Sequence, residues 1–462
     1  MPTEIPSRSA VQWIGRIGAA VVFCWGAAGG FHVLGLSHEQ QISCTMMLMA
    51  ALMWMTEAVP LFVTSLLVLL LSLAWLQPAL ESAGRSVPPS VFTGPFFSDV
   101  ILLFLGGFVL AAGLKRQSLD LYAASALMKL SGSSLKKLLL VSMSTTAFLS
   151  MWLSNTASTA MMLALMLPLV HQLPAKATAR SALLLGIPFA ANIGGLGTPI
   201  GSPPNAIALQ YLRAFDAAPS FGVWVLIGLP GVIGMIGFSW FVLTTMFGVR
   251  GELNDGSREP PSIAWTPATF FVLTATFFTI LLWLTTDWHG YRSGIVALIP
   301  VLLFFGSGLL GVADLKALSW DVLLLMGGGL CLGEVLATSG FAETLVSWLP
   351  TDGLSVYGSM VFFGCVACLL SSVMSNTATA NLILPIAASL SLEPIRPIMI
   401  GIAFACTLAM PLPVSTPPNA LVFSSGEIRL GNLQRAGTII TVVGCILAFT
   451  TGWWWWKLWG LF

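Results

Sequence analysis

Charge is what this sequence has least of. Of 462 residues only 8% are Asp, Glu, Lys or Arg, against 56% hydrophobic, whereas a soluble domain carries about 25% charged residues. A folded globule has to cover itself with groups that water solvates, and this chain has too few. Its outer surface must face lipid, which excludes a cytosolic enzyme, a secreted domain and a disordered chain. A net charge of +1 leaves no electrostatic footprint for nucleic acid. The four histidines (His32, His38, His171, His289) fall near the ends of apolar runs, and none stands beside a second metal-ligating residue. The seven cysteines are odd in number and scattered, so they form no disulfide framework. Cys365 and Cys368 have the spacing of a redox or zinc pair, but FFGCVACLL holds no histidine and no second pair. They read as small buried hydrophobes. No nucleophile–base pair is evident, so no catalytic residue is assigned and the chain does not read as an enzyme.

What it has in quantity is apolar runs. Eleven are long enough to cross a hydrocarbon core of roughly 30 Å: 11–31, 40–59, 61–77, 99–114, 181–197, 221–247, 265–286, 292–311, 320–339, 397–413 and 436–456. The polar start MPTEIPSRSA precedes the first without a small-residue cleavage site, so that run reads as a retained span. Two further runs, 136–173 and 354–392, are broken in the middle by Ser154-Asn155-Thr156 and Ser375-Asn376-Thr377. A simple crossing helix would expose those groups to lipid at mid-depth, whereas broken backbone is tolerated when buried in protein or lining a cavity. Each run therefore reads as a re-entrant helical hairpin with its polar cluster at the tip; two ordinary spans per run is the alternative. With the N-terminus inside and the C-terminus outside, 14 Lys and Arg fall on the cytoplasmic side, Lys115, Arg116, Lys176 and Arg258 among them, and five outside, including Arg213 and Arg292. That satisfies the positive-inside rule. The basic, amphipathic segment around 118–137 reads as lying along the inner interface. Trp453–Trp456 with Trp459 reads as an interfacial aromatic belt.

Three landmarks recur. Asp99-Val100-Ile101-Leu102-Leu103 matches Asp321-Val322-Leu323-Leu324-Leu325, 222 positions on; the two Ser-Asn-Thr triplets lie 221 apart; Ser202-Pro203-Pro204-Asn205-Ala206 matches Thr416-Pro417-Pro418-Asn419-Ala420, 214 on. Each repeat holds five crossings and one hairpin. Five is odd, so the second copy enters the membrane from the opposite side. Inverted repeats with interrupted helices point to the substrate site of a secondary transporter.

Ser, Asn and Thr are good helix N-caps, and capping is the plain reading of either triplet alone. Its recurrence in both repeats, deep in apolar sequence, suggests more. Helix N-termini attract anions through free N–H groups and the helix dipole, so two facing tips make a pseudo-symmetric anion site, with one carboxylate per tip. The loops Gly197–Asn205 and Pro413–Asn419 interrupt the spans beside them. Proline removes an N–H and clashes with the preceding turn, which frees carbonyls that a sodium ion can take up. Asn155 and Asn376 can each add an amide oxygen. No Lys or Arg lies within either motif region. Glu57 and Glu334 are the acids inside spans, functional candidates by default; both read first as anchors and second as proton carriers.

These residues resemble the divalent anion/sodium symporters, the INDY-type dicarboxylate carriers related to citrate and sulfate sodium cotransporters. Thr56-Glu57-Ala58-Val59-Pro60 is similar to a segment of that family as well, and the likeness covers nearly the whole chain. The resemblance implies an all-α polytopic membrane protein of eleven spans and two hairpins, working as a homodimeric elevator in the bacterial inner membrane. It implies a scaffold of residues 1–117 and 265–345, an interfacial helix at 118–135, a cytoplasmic loop at 248–264, and a transport domain of 136–247 and 350–462. By similarity, one sodium ion would be held by Ser150, Ser154, Asn155 and Gly201, and a second by Ser371, Met374, Asn376 and Ser415. A third ion is unlocated. A dicarboxylate anion would touch Ser154, Asn155, Thr156, Ser202 and Pro203 from one repeat, and Ser375, Asn376, Thr377, Thr416 and Pro417 from the other. Position 202 is Ser where its partner 416 is Thr, an asymmetry that bears on substrate choice. The expected function is sodium-coupled import of C4-dicarboxylates; exchange without sodium, proton coupling, or citrate or sulfate transport in the same fold are the alternatives. A channel is disfavoured, because no ring of charge lines a pore.

Overall fold

The computed structural model describes residues 8–174, 177–252, 263–349, 353–390 and 393–460. Lys176, Arg258 and most of the 248–264 loop lie outside them. Among the described residues the fold is helical throughout, with one isolated bridge between Ser134 and Glu252. The longer helices in chain order are α1 (Arg8–Ala27), α2 (His38–Thr56), α3 (Leu61–Ser82, with a π turn over Ser72–Leu76), α4 (Asp99–Arg116), α5 (Leu119–Met128), α6 (Leu135–Ser150), α7 (Asn155–His171), α8 (Thr178–Gly194) and α9 (Pro203–Ala214). The chain continues with α10 (Phe221–Met246), α11 (Pro267–Leu284), α12 (Ser293–Gly306), α13 (Trp320–Ser339), α14 (Val356–Val373), α15 (Asn376–Ala388), α16 (Arg396–Leu408), α17 (Pro417–Ser424) and α18 (Leu430–Leu458, with a π turn over Ala448–Gly452). Nine of the helices among the described residues are long and apolar enough to cross a membrane; α12 and α16 are apolar but shorter. This is an integral membrane protein.

Local chemistry sets the boundaries. Ser37 and Gln40 form a capping box that starts α2, satisfying two otherwise orphaned donors. Glu57 ends that helix in the left-handed conformation (φ 47°), and Pro60 directly precedes α3. Glu334 stands exposed on α13. The segment read as interfacial over 118–135 is helical over a shorter stretch, α5, because Gly132 (φ 54°) turns the chain before α6.

Packing is reciprocal between the two halves. Helix α4 lies on α12, and α13 lies on α3; α8 packs on α6, and α16 on α14. The short helix α9 meets α15 and α16, while α17 meets α7 and α8. The interior of this bundle is apolar and close-packed, with α8 and α16 almost wholly buried.

Two sequence expectations need correction. Cys365 is exposed and Cys368 half-buried on α14 rather than both being buried; in a bilayer an apolar side chain loses nothing by facing lipid. Among the tryptophans, Trp456 is buried against the Phe404 ring rather than lying in an interfacial belt, and Trp455 donates to the Leu226 carbonyl. Only Trp454 and Trp459 of that cluster are well exposed.

Candidate functional site

The two hairpin tips repeat one set of contacts. Helix α6 ends at Ser150 and α7 begins at Asn155. Ser154 caps α7 by accepting from the Ala157 N–H at 3.2 Å, and Ser375 caps α15 by accepting from the Ala378 N–H at 3.2 Å. The serines of both triplets therefore do the capping. The asparagines do something else. Ser150 Oγ lies 2.5 Å from Asn155 Oδ1 and 2.8 Å from the Ala191 carbonyl oxygen. Ser371 Oγ lies 2.7 Å from Asn376 Oδ1 and 2.8 Å from the Cys406 carbonyl oxygen. A hydroxyl has one proton, so it cannot serve both acceptors at once. At Asn155 the same amide atom also faces the carbonyl oxygens of Gly201 at 3.0 Å and Ala191 at 3.2 Å. With its nitrogen turned there, Asn155 donates to Gly201; with its oxygen turned there, four oxygens converge, the donor set that a hard cation prefers.

The interrupted loops are held by asparagines the sequence reading passed over. Asn205 Nδ2 donates to the carbonyls of Gly195 (2.8 Å) and Thr198 (2.9 Å), and Asn419 Nδ2 to those of Met410 (3.0 Å) and Leu412 (3.1 Å). These are carbonyls left over where the proline-led helices α9 and α17 begin, so part of the backbone assigned from sequence to cations is satisfied by side-chain amides. Their signal was present: each is the Asn of a Pro-Pro-Asn. The loops are also stitched across the repeats. Asn192 on α8 donates to Thr416 Oγ1 at 3.1 Å, and Ser202 Oγ lies 3.1 Å from Thr407 Oγ1 on α16. Thr198 Oγ1 donates to the Met151 carbonyl at 2.5 Å, tying the first loop to the first tip.

The N-termini of α7, α9, α15 and α17 meet at one cavity of about 530 Å³, within the range of small-molecule sites. Its wall includes all ten residues expected to touch the anion: Ser154, Asn155, Thr156, Ser202, Pro203, Ser375, Asn376, Thr377, Thr416 and Pro417. Of the residues expected to hold sodium, Gly201 also lines it, while Ser150 and Ser371 stand buried behind the asparagines. Met374 and Ser415 are buried too, but among the described residues no hydrogen bond joins either to Asn376. The wall contains no Lys or Arg among the described residues; its one ionisable side chain is Asp321. Sharing Phe108, Ser154 and Ser319 with it, a second cavity of about 600 Å³ leads on toward Lys115, Arg116 and Asp314. Away from that mouth, Arg213 of α9 forms an ion pair with Asp99 at the start of α4, and the Gly294 N–H of α12 donates to Asp99 at 3.1 Å. Elsewhere His171 and Arg180 both reach Glu427, a cluster that joins α7 to the segment after α17 and was not evident in the sequence.

A family model described as a citrate transporter matches residues 51–394. The chain belongs to the citrate transporter family. It is a membrane transporter, not an enzyme. The sodium-dependent dicarboxylate transporter SdcS of Staphylococcus aureus is 33% identical over 90% of this chain and 86% of its own length. An uncharacterized transporter of Schizosaccharomyces pombe is 30% identical over 90% of this chain, which spans half of that longer protein. Among solved structures, the YdaH transporter of Alcanivorax borkumensis superposes with a TM-score of 0.57 at 15% identity, covering 80% of this chain and 88% of that one. MtrF of Neisseria gonorrhoeae gives 0.52 at 12% identity, with 83% and 85% covered. Those two likenesses concern the fold alone.

Proposed function

We propose that this transporter imports C4-dicarboxylates of the succinate, malate and fumarate type together with sodium ions, by an elevator movement. The observation that carries the reading is a cavity ringed by four helix N-termini with no Lys or Arg in its wall among the described residues. N-terminal N–H groups attract a carboxylate but bring no net charge with them through the membrane. Uphill import then needs cations that travel with the dianion, and the mirrored Ser150–Asn155 and Ser371–Asn376 pairs, each beside a backbone carbonyl, are the places for two of them. The name of the staphylococcal relative points the same way.

The finer architecture belongs to the proposal as well: eleven crossings, two re-entrant hairpins and two inverted halves, with a scaffold of 1–117 and 265–345 and a transport domain of 136–247 and 350–462. The reciprocal packing of α4 on α12 and α13 on α3 supports it. So does the apolar exposure of α1 at Trp13, Ile14, Ile17 and Val21, a face suited to lipid or to a second protomer of a homodimer. The mouth near Lys115 and Arg116 would open to the cytoplasm.

The test is uptake of labelled succinate into proteoliposomes with sodium, potassium or choline outside, with and without internal succinate. Sodium-dependent uptake into empty vesicles is expected. Full-rate uptake in choline that requires internal dicarboxylate would replace the symporter with an exchanger.

A further inference from the structure

The two loops that face each other across the cavity carry hydroxyls at equivalent places, Ser202 and Thr416, and hydrogen-bond accounting makes them opposite in character. Begin at Asn419. Its Nδ2 is fixed by the carbonyls of Met410 and Leu412, so its Oδ1 is the end turned to Asn192, 3.5 Å away. Asn192 must then present its nitrogen, which also donates to Thr416 Oγ1 at 3.1 Å. Thr416 Oγ1 accepts a second bond from the Asn419 backbone N–H at 3.3 Å. Both lone pairs are taken, and the remaining O–H is left to point into the cavity that Thr416 lines.

Across the pseudo-symmetry the chain has Thr407 where Asn192 stands. The Thr407 hydroxyl donates to the Ala403 carbonyl at 3.0 Å. With its single proton placed on that carbonyl, the donor in the 3.1 Å contact with Ser202 is Ser202. The Ser202 side chain does not cap α9, whereas Thr416 does cap α17. Ser202 therefore turns its proton away from the cavity and offers lone pairs.

We propose that Asn192 and Thr407 are positioning residues that give the site a donor at Thr416 and an acceptor at Ser202, and that the site consequently selects a dicarboxylate bearing a hydroxyl group. The inference rests on the dicarboxylate reading above. One carboxylate takes the Thr416 O–H. Lone pairs at Ser202 repel a second carboxylate oxygen brought against them, but they accept from an O–H on the adjacent carbon of a 2-hydroxy acid. A substrate without that group leaves Ser202 unmatched.

The experiment compares KM for labelled malate and labelled succinate in proteoliposome uptake assays with sodium outside. One hydrogen bond of this kind corresponds to about a tenfold lower KM for malate. Thr407→Val leaves Ser202 free to turn its proton inward, and the ratio is expected to fall to near one, chiefly by improvement of succinate. Thr407→Ser keeps the donor chain and should keep the wild-type ratio. Ser202→Ala removes the acceptor and should also bring the ratio to near one, so the inference stands testable even if Thr407→Val does not fold. Equal KM values in the wild type, a preference for succinate, or a ratio unmoved in both Thr407→Val and Ser202→Ala would overturn the selection while leaving dicarboxylate transport intact. Uptake of neither acid by the wild type would overturn the dicarboxylate reading itself, and the inference with it.

Discussion

Four asparagines at the centre of the molecule divide between holding backbone and facing the cavity. Asn205 and Asn419 are almost fully buried and each satisfies two carbonyls beside an interrupted helix. Removing such a donor strands buried acceptors at about 1–3 kcal/mol each. Asn205→Ala and Asn419→Ala should therefore lower the melting temperature in detergent clearly, with loss of uptake following from the loosened loop. Asn155 and Asn376 are half-buried at the cavity wall, with their helices already capped by Ser154 and Ser375. Asn155→Ala and Asn376→Ala should nearly abolish uptake while leaving the melting temperature close to wild type. Wild-type uptake in both would reduce the tips to caps and remove the anion and cation assignments together.

At the scale of elements, the hairpin tip and the interrupted loop fit because glycines at their junction let them close, Gly195 among them. A Cβ on Gly195 would stand 2.9 Å from the Gly201 carbonyl oxygen and 3.1 Å from both amide atoms of Asn155. Gly195→Ala should push Asn155 and Gly201 apart, and the sodium concentration for half-maximal uptake should rise while the helices stay folded by circular dichroism. An unchanged sodium dependence would mean that Asn155 and Gly201 do not share an ion. Much at this scale is legible in the sequence. A polar triplet inside an apolar run has few tolerable placements, so the tips at Ser154 and Ser375 follow from solvation alone, and the helix starts at Pro203 and Pro417 follow from proline geometry. The lateral stitches are not legible. Asn192 with Thr416 and Ser202 with Thr407 join residues more than 200 positions apart, and nothing local in either sequence neighbourhood specifies its partner. The same holds for Arg213, which composition and span counting place outside the membrane but which the fold brings to Asp99.

For the whole molecule the controlling quantity is charge moved through the membrane. A dianion entering against an inside-negative potential of 100 mV is opposed by about 4.6 kcal/mol, at about 2.3 kcal/mol per charge. Two sodium ions cancel that cost and a third reverses its sign. Uptake should rise with sodium with a Hill coefficient above one, and an inside-negative potential imposed with potassium and valinomycin should accelerate it if three ions move. A Hill coefficient of one with no response to potential would remove the coupling argument.

The movement itself makes the last prediction. In the proposed elevator α9 travels with the transport domain, while α4 and α12 stay with the scaffold. The Arg213–Asp99 ion pair, with Gly294 donating to the same carboxylate, crosses that boundary. Its side chains are only 24% and 14% exposed, and it lies at the end of α4 away from the cavity mouth. The repeat partner of Asp99, Asp321, lines the open cavity instead, exposed and without an ion pair among the described residues. Under the proposed inverted repeat, one acid is ion-paired away from the mouth and the other is unpaired among the described residues beside the cavity, as two inverted halves caught in one of two states would be. Transport then requires the Arg213–Asp99 contact to part in every cycle. Asp99→Cys and Arg213→Cys can be combined in a background where the exposed Cys24 and Cys365 are serine, and bridged with a short, reducible bifunctional thiol reagent. Bridging should stop sodium-driven uptake, and reduction should restore it to the level of the unbridged double variant. Full uptake by the bridged protein would mean that α9 and α4 do not separate, and the transport domain would have to be redrawn without α9.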